Sequence, residues 1–455
     1  MRRDYFPEWR FNLYLPDHNR LRMKEDLLQY IWKFRYYNNH ELKTVEGDSL
    51  KILYQGKQNF DQGPDFLDAR IQINDTVWVG NVELHVFSKQ WNQHNHQKDV
   101  NYKNVILHVV WEHDEDVYDI NGQILPTFEL KSRVAKLLLE RYRQLLDNEK
   151  KQNGFFIACE KFLDQVPEIK WTAWKSRLSA ERLEYKTKKV FEILGQTRVH
   201  WDETMWRMTA SNFGGKINGE IFQKIAETIP QKILARHKDQ QITIEAMLLG
   251  QADQLNENFV GKYPLLLQKE YRFYKKKYDL TEVDGSLFFG RMRPANFPTI
   301  RLAQLSSLII KSNHLFSYVK DLDNVKELFE LLKVSPNDYW LYHYRLDDES
   351  SEEKKEKTLG RQMMENMIIN TICPIMFAYG VYNRDESFKE KALNWLEGLS
   401  PEKNKITRGF ESLNVKNENA SDSQALIHLK NNYCDEKRCL ECTIGNAILR
   451  KTVQD

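Results

Sequence analysis

Apolar and polar residues alternate along two neighbouring segments in the first third of the chain. The alternation runs through residues 68–75 and again through residues 78–86, and Asn74-Asp75 separates the two segments. This pattern predicts a β-hairpin with one buried and one polar face. Residues 50–56 and 104–112 predict two further strands, and residues 124–130 predict an edge strand.

Helical spacing of apolar residues dominates elsewhere. Residues 23–32 predict a first helix with one apolar face, and residues 94–102 predict a short helix after the hairpin. From about residue 135 onward, helical spacing recurs in segments 135–142, 178–194, 201–213, 222–229 and 242–249. The sequence therefore predicts an α+β fold, with a sheet-containing domain over residues 1–134 followed by a mainly α-helical domain over residues 135–455.

Composition places the chain among soluble globular proteins. Hydrophobic residues make up 41% and charged residues 29% of the 455 residues, and 67 basic against 65 acidic residues give a net charge of +2. Because no overall positive field attracts nucleic acid, any such binding must come from local patches. Met1–Phe6 lacks the apolar core of a signal peptide, and no run of about 18 apolar residues occurs. We therefore expect a cytoplasmic protein that does not span a membrane.

Two acidic residues occupy positions of the predicted hairpin that should face each other. Asp65 precedes the first strand, and Glu83 lies in the second. Because the start of one antiparallel strand lies opposite the end of its partner, the two carboxylates are expected to converge, as they would around a divalent cation. The alternative is a Pro64-Asp65 turn followed by a strand whose Glu83 and His85 face solvent.

Pro64-Asp65 and Glu83-Leu84-His85 resemble the active-site motif of the PD-(D/E)XK nuclease superfamily, with histidine in the lysine position. The resemblance implies a restriction-endonuclease-like mixed sheet flanked by helices. It also implies that Asp65 and Glu83 hold Mg²⁺ or Mn²⁺ and that the protein cleaves phosphodiester bonds in DNA, or less favourably in RNA. The metal would lower the pKa of a bound water, and His85 would orient or deprotonate that water. Since the charge of histidine depends on pH, loss of activity is also compatible with this replacement.

Further residues surround this motif. The superfamily resemblance implies Glu25, in the predicted first helix, as a third metal ligand, whereas the alternative is an exposed first-turn glutamate favoured by the helix dipole. After the hairpin, His94, His96, Asp99 and Tyr102 follow in close succession, and Asp99 and Tyr102 are about one helical turn apart. We expect this segment to position the nucleic-acid strand.

Two other classes of function fit the same residues. The first is a transition-metal enzyme, for example a zinc hydrolase, with ligands drawn from His85, His94, His96, Asp99 and His108. The second is a non-catalytic nucleic-acid-binding or scaffolding protein on a decayed nuclease fold. Over its whole length the chain resembles an uncharacterised bacterial family, domain of unknown function 2851, and that name implies no activity.

Basic residues of the second half are candidates for contacts with nucleic acid. Lys276 lies in a segment, residues 269–278, that interleaves aromatic and cationic residues, although a helix with buried tyrosines gives the same pattern. Arg291, Arg293 and Arg301 accompany two prolines and could converge on a phosphate, or could instead pair with acidic helices of the same domain.

Three cysteines near the carboxy terminus suggest a second metal site. Cys434, Cys439 and Cys442 lie within nine residues, and Cys373-Pro374 could supply a fourth thiolate. Four thiolates fit structural Zn²⁺ or a 4Fe-4S cluster, and the alternative is three unrelated thiols. Cys159 has apolar neighbours in sequence and is expected in a core.

Overall fold

The computed structural model describes residues 23–147, 155–312, 314–346, 348 and 353–454. These residues form two compact units. The first, called here the α/β unit, contains the described residues up to Lys170 together with those from Tyr433 onward, and the second, the helical unit, runs from Trp171 to Asn432. The sequence predicted a boundary after residue 134, whereas in this division residues 135–147, residues 155–170 and the carboxy-terminal helix belong with the sheet.

A mixed six-stranded sheet forms the centre of the α/β unit. Its strands are β1 (Leu50–Tyr54), β2 (Lys57–Gln58), β3 (Phe66–Ile73), β4 (Thr76–Phe87), β5 (Val105–Glu112) and β6 (Thr127–Glu129). They lie in the order β1-β3-β4-β5-β6, and β2 also pairs with β3. β3 is antiparallel to β1, β2 and β4, whereas β4–β5 and β5–β6 are parallel pairs. The predicted α+β class is therefore confirmed.

α-Helices account for most of the remaining described residues. In chain order they are α1 (Glu25–Phe34), α2 (Gln90–Gln93), α3 (Lys136–Asp147), α4 (Glu168–Gln196), α5 (Trp201–Thr228), α6 (Gln231–Ala235), α7 (Gln241–Gln251), α8 (Lys262–Tyr278), α9 (Pro298–Lys311), α10 (Leu315–Asp321), α11 (Val325–Leu332), α12 (Arg361–Met367), α13 (Cys373–Asn383), α14 (Glu386–Glu397), α15 (Lys405–Glu411), α16 (Ala420–Leu429) and α17 (Thr443–Gln454). α1, α2, α3 and α17 belong to the α/β unit, and α5 to α16 belong to the helical unit.

The predicted hairpin is formed by β3 and β4. Ile73 pairs with Thr76 across a two-residue turn, and Asn74 adopts a φ of 50°, which asparagine tolerates better than most residues. Alternate residues of β3 are buried, and α1 packs against β4. The apolar face of α1, with Leu27 and Ile31 fully buried, closes the core on this side of the sheet.

A crossover of residues 88–104 joins the parallel strands β4 and β5. The sequence predicted one short helix over residues 94–102, but the segment forms two separate 3-10 turns, His96–Lys98 and Val100–Tyr102, after α2. Asn95, at φ 61°, and the extended Asp99 interrupt the helical backbone. Because a parallel connection leaves from the carboxyl end of its strand, these turns lie beyond the end of β4.

The helical unit contains the helices predicted from residue 178 onward. α5 continues through both predicted segments and kinks at Gly215, whose φ of 63° suits glycine. Within the described ranges, no helix has both the length and the apolarity needed to cross a membrane. The prediction about a signal peptide concerns Met1–Phe6, which lies outside the described residues.

Candidate metal centre

The hairpin brings the carboxylates of Asp65 and Glu83 together. Phe66 pairs with Val82, so the residue before β3 lies beside Glu83 on β4. The backbone N–H of Asp65 donates to Glu83 Oε2 at 3.0 Å, and the backbone N–H of Leu84 donates to Asp65 Oδ2 at 3.0 Å. These reciprocal hydrogen bonds fix both carboxylates at one place on the sheet.

Helix α1 adds two polar side chains to this place. Gln29 Nε2 donates to Asp65 Oδ1 at 2.8 Å. Glu25 lies one helical turn earlier, close enough that its charge raises the pKa of Asp65, and its Oε1 accepts a hydrogen bond from Gln90 Nε2 at 3.1 Å. Glu25 is half-buried, so α1, β3 and β4 together present three carboxylates.

The electrostatics of these carboxylates favour a bound cation. The pKa of Asp65 is raised to about 7 and that of Glu83 to about 9, mainly by burial and in smaller part by repulsion from the neighbouring acids. Within the part of the chain that the structure describes, no lysine or arginine forms an ion pair with Glu25, Asp65 or Glu83. A bound cation would stabilise the ionised forms of these carboxyl groups, and carboxylate oxygens are ligands that Mg²⁺ and Mn²⁺ prefer, so the donor set fits such an ion.

Two buried histidines lie near Glu83 on strands β4 and β5. His85 is two residues further along β4 and shares the face of Glu83, while His108 pairs in register with Glu83 from β5. His85 Nδ1 lies 2.9 Å from His108 Nε2. Both imidazoles are buried.

The crossover supplies two more imidazoles. His94 Nδ1 lies 3.2 Å from His85 Nε2, and the ring of His94 is exposed to solvent. His96 is buried, and Tyr102 stacks on its ring with a centroid distance of 3.8 Å. Trp91 packs edge-on against the same ring at 5.3 Å, so the 3-10 turns and α2 hold His96 in place.

The buried histidines are neutral at physiological pH. Burial, followed by the neighbouring imidazoles, lowers the pKa of His85 to about 2, that of His96 to about 4 and that of His108 to about 3. At the position where the nuclease motif has a charged lysine, this chain therefore carries an uncharged imidazole.

Other predicted and unpredicted residues complete the site. Asp99 caps the second 3-10 turn by accepting a hydrogen bond from the backbone N–H of Asn101 at 2.9 Å, which is a structural role. Sequence reasoning missed Gln29 and Gln90. The spacing of four residues between Glu25 and Gln29 was a signal for the first. The sequence held no comparable signal for Gln90, which follows the end of β4.

The predicted nucleic-acid-binding residues all lie in the helical unit. Lys276 is exposed on α8, and Arg291 and Arg293 are exposed in the segment before α9. Arg301 is half-buried and donates to two side-chain amide oxygens, 2.7 and 2.9 Å away, while burial lowers its pKa. It lines a cleft of about 450 Å³. In the described ranges none of the three arginines forms an ion pair with an acidic residue.

The structure divides the predicted thiolate set between the two units. Cys434, Cys439 and Cys442 belong to the α/β unit, whereas Cys373 is fully buried in the core of the helical unit. In the α/β unit, the 3-10 helix Glu160–Gln165 packs against α17, and Cys159 directly precedes that 3-10 helix. Burial raises the pKa of the Cys159 thiol, and the nearby Cys442 and Cys439 raise it further. The thiol next to the late cysteines is therefore that of Cys159.

Comparisons with known proteins give a family but no activity. No curated protein matches the chain, and no solved structure matches it either. One family model, described as "Protein of unknown function (DUF2851)", matches residues 25–405. This match includes α1, the whole sheet, the crossover histidines and most of the helical unit, and the chain therefore belongs to the DUF2851 family.

Proposed function

We propose that the α/β unit hydrolyses phosphodiester bonds in nucleic acid, with DNA as the favoured substrate, using Mg²⁺ or Mn²⁺ held by Asp65 and Glu83. The convergence of these two carboxylates from neighbouring strands carries the proposal. The order of helix α1, the hairpin and a parallel crossover strand supports it, because the superfamily that the motif resembles builds its site on the same order of elements.

The chain's own groups preorganise the site. The N–H groups of Leu84 and Asp65 and the amide of Gln29 orient the carboxylate oxygens before a cation binds. Glu25 contributes a third negative charge from α1. A divalent ion bound there supplies neutralisation of the phosphate and Lewis-acid activation of water.

In this proposal an uncharged His85 orients the attacking water and does not act as a fixed positive charge. Its two ring nitrogens face His108 Nε2 and His94 Nδ1, and its lowered pKa keeps it neutral. Because His94 is exposed, its ring links the buried His85 to solvent.

The exposed cations of the helical unit bind the phosphates of the nucleic acid in this proposal. Lys276, Arg291 and Arg293 are open to solvent, and Arg301 has no carboxylate partner in the described residues. Guanidinium groups without acidic partners are available for forked hydrogen bonds to phosphate oxygens.

Cleavage assays test the activity. Metal-free protein is supplied with Mg²⁺ or Mn²⁺ and incubated with plasmid DNA, single-stranded DNA, RNA and a simple aryl phosphodiester. Since losing the metal removes several kcal/mol of transition-state stabilisation, Glu83→Gln should reduce the rate at least about 100-fold. Asp68→Asn is the matched control, because Asp68 is an exposed carboxylate of the same hairpin. Equal rates in the wild type and Glu83→Gln would contradict the proposal.

A binding protein without catalytic activity is the second candidate. His85 is neutral and takes the place of the charged lysine of the resembled nuclease motif. The missing positive charge favours a protein that binds nucleic acid without cleaving it. In this case no substrate is cleaved with any metal, and Asp65→Ala together with Glu83→Ala leaves DNA binding unchanged.

We also propose a structural metal, either Zn²⁺ or a 4Fe-4S cluster, at Cys434, Cys439 and Cys442. The position of Cys159 beside Cys439 and Cys442 supports Cys159 as the fourth thiolate in place of Cys373. Thiolates suit either metal centre, and such a site would tie α17 to the preceding part of the α/β unit.

A further inference from the structure

The two carboxylate oxygens of Glu83 have different neighbours. Oε2 accepts the backbone N–H of Asp65 and so belongs to the carboxylate cluster. Oε1 lies 3.7 Å from His85 Nε2 and 3.5 Å from His96 Nε2. Oε2 of Glu83 therefore faces the carboxylate cluster. Oε1 faces a group of imidazole nitrogens, called here the nitrogen-rich group.

The nitrogen-rich group is compact. One nitrogen from each of His85, His94 and His96 lies within 4.8 Å of the other two, and no other set of three or more histidine, cysteine or acidic residues in the described chain is as compact. His85 Nε2 and His94 Nδ1 are 3.2 Å apart. Neighbouring ligand atoms of a tetrahedral ion with bonds of about 2.0–2.1 Å are roughly 3.3 Å apart. The His85–His94 distance is close to this value, and the other nitrogen–nitrogen separations, all within 4.8 Å, would shorten when an ion binds.

The hydrogen-bond geometry around His85 and His96 suits metal binding. The tautomer of His85 that donates from Nδ1 to His108 Nε2 leaves Nε2 free to bind, and ligating histidines commonly have such a partner on their other nitrogen. His96 Nε2 is buried and has no hydrogen-bond partner, although it is aimed toward Glu83.

We propose that His85, His94, His96 and Glu83 form a second metal site, specific for a transition-metal ion of the Zn²⁺ type, with Glu83 shared between this site and the carboxylate site. Three nitrogen ligands and one carboxylate oxygen are a donor set that zinc prefers and magnesium does not. An ion bound here occupies His85 Nε2, which then no longer acts on water, so this site does not depend on phosphodiester cleavage and goes beyond the function proposed above. The exposed ring of His94 gives the ion a path of entry.

A hydrogen-bonded histidine cluster without a metal is the competing explanation. It accounts for the two short contacts of His85, at 2.9 and 3.2 Å. It leaves the buried His96 Nε2 and His108 Nδ1 without partners, which is a cost that a ligand bond to His96 would remove in part.

Cobalt titration tests the proposal. Untagged protein is stripped with a chelator and titrated with Co²⁺, whose visible absorption reports a four-coordinate site, and Zn²⁺ is then added as a competitor. Every protein in this titration, including the wild-type reference, carries Cys442→Ser, because the proposed cysteine site would also bind Co²⁺. We expect one equivalent of Co²⁺ to give strong bands in this reference and Zn²⁺ to abolish them. His94→Ala should weaken binding at least about tenfold, because it removes a ligand. His94 is exposed, so this variant should fold, and circular dichroism checks that it does.

Two further variants separate this site from the other candidates. His40→Ala is the matched control, since His40 is exposed and distant in sequence, and it should bind Co²⁺ like the wild type. Asp65→Asn should also keep the bands, because Asp65 belongs to the carboxylate site. Absence of bands in the wild type, or unchanged binding in a folded His94→Ala variant, would overturn the proposal. Failure to cleave nucleic acid would not affect these measurements, so the two proposals fail separately.

Discussion

Replacing Asp65 by asparagine should stabilise the metal-free protein at pH 8. The pKa of Asp65 is raised from 3.8 to about 7, and at about 1.4 kcal/mol per unit the ionised form costs roughly 4 kcal/mol. Since Asp65 is half-buried, solvent screening reduces this to about 2 kcal/mol. Two donors, Gln29 Nε2 and the Leu84 N–H, bind different oxygens of Asp65, and asparagine has only one side-chain oxygen. The substitution therefore loses one of the two hydrogen bonds, which costs about 1 kcal/mol. A net gain of about 1 kcal/mol remains.

The stability that Asp65→Asn gains over the wild type should increase as pH rises. A carboxyl group whose pKa is raised in the folded state stabilises the protein fully below its unfolded pKa, and the contribution is lost as pH rises through the folded pKa. For Asp65 this window runs from about pH 4 to about pH 7. Wild-type stability should therefore fall across the window, whereas Asp65→Asn should show a flatter profile.

Thermal unfolding with a chelator and with Mn²⁺ measures both effects. For a unit of about 150–250 residues, 1 kcal/mol shifts Tm by about 2–4 °C. Asp65→Asn should raise Tm by about this amount in chelator and should lose the stabilisation that Mn²⁺ gives the wild type, which is about 2.7 kcal/mol at 100 times Kd. Asp68→Asn should behave like the wild type. The reasoning is refuted if Asp65→Asn destabilises the chelated protein at pH 8 or still responds fully to Mn²⁺.

Three further predictions address other parts of the molecule. Cys442→Ser should lose the iron or zinc found by metal analysis, whereas Cys373→Ser should retain it, and the opposite result would restore Cys373 as a ligand. Arg293→Ala should lower the dependence of DNA affinity on salt by about one unit of the logarithmic slope, and an unchanged slope would exclude a phosphate contact. Gly250→Ala should destabilise the helical unit by about 1–3 kcal/mol in denaturant unfolding, because the added Cβ meets the buried ring of Tyr271, and a neutral effect would mean that the ring moves freely.

The sequence predicted the elements around the carboxylates because their signals are local. Alternation fixed the two strands, and Asn74-Asp75 marked the turn, so the facing positions of Asp65 and Glu83 followed from hairpin geometry. Helical spacing predicted α1, and with it the position of Glu25.

Features that depend on distant contacts could not be predicted in the same way. The crossover breaks into 3-10 turns because Asn95 takes a left-handed conformation, and the packing of Trp91 and Tyr102 around His96 accompanies it. Cys159 meets Cys439 and Cys442 only because α17 packs against the segment that follows Cys159, across almost 300 residues of chain. Its apolar sequence neighbours indicated a core position and gave no sign of those partners.

The central claim is that Asp65 and Glu83 hold one divalent cation between them. Crystals of the wild-type protein soaked in Mn²⁺, with diffraction recorded near the manganese absorption edge, test it most directly. The account predicts an anomalous peak within coordination distance, about 2.0–2.3 Å, of an oxygen from each carboxylate. A map without a peak between Asp65 and Glu83, from crystals in which added Mn²⁺ is detected elsewhere on the protein, would contradict it.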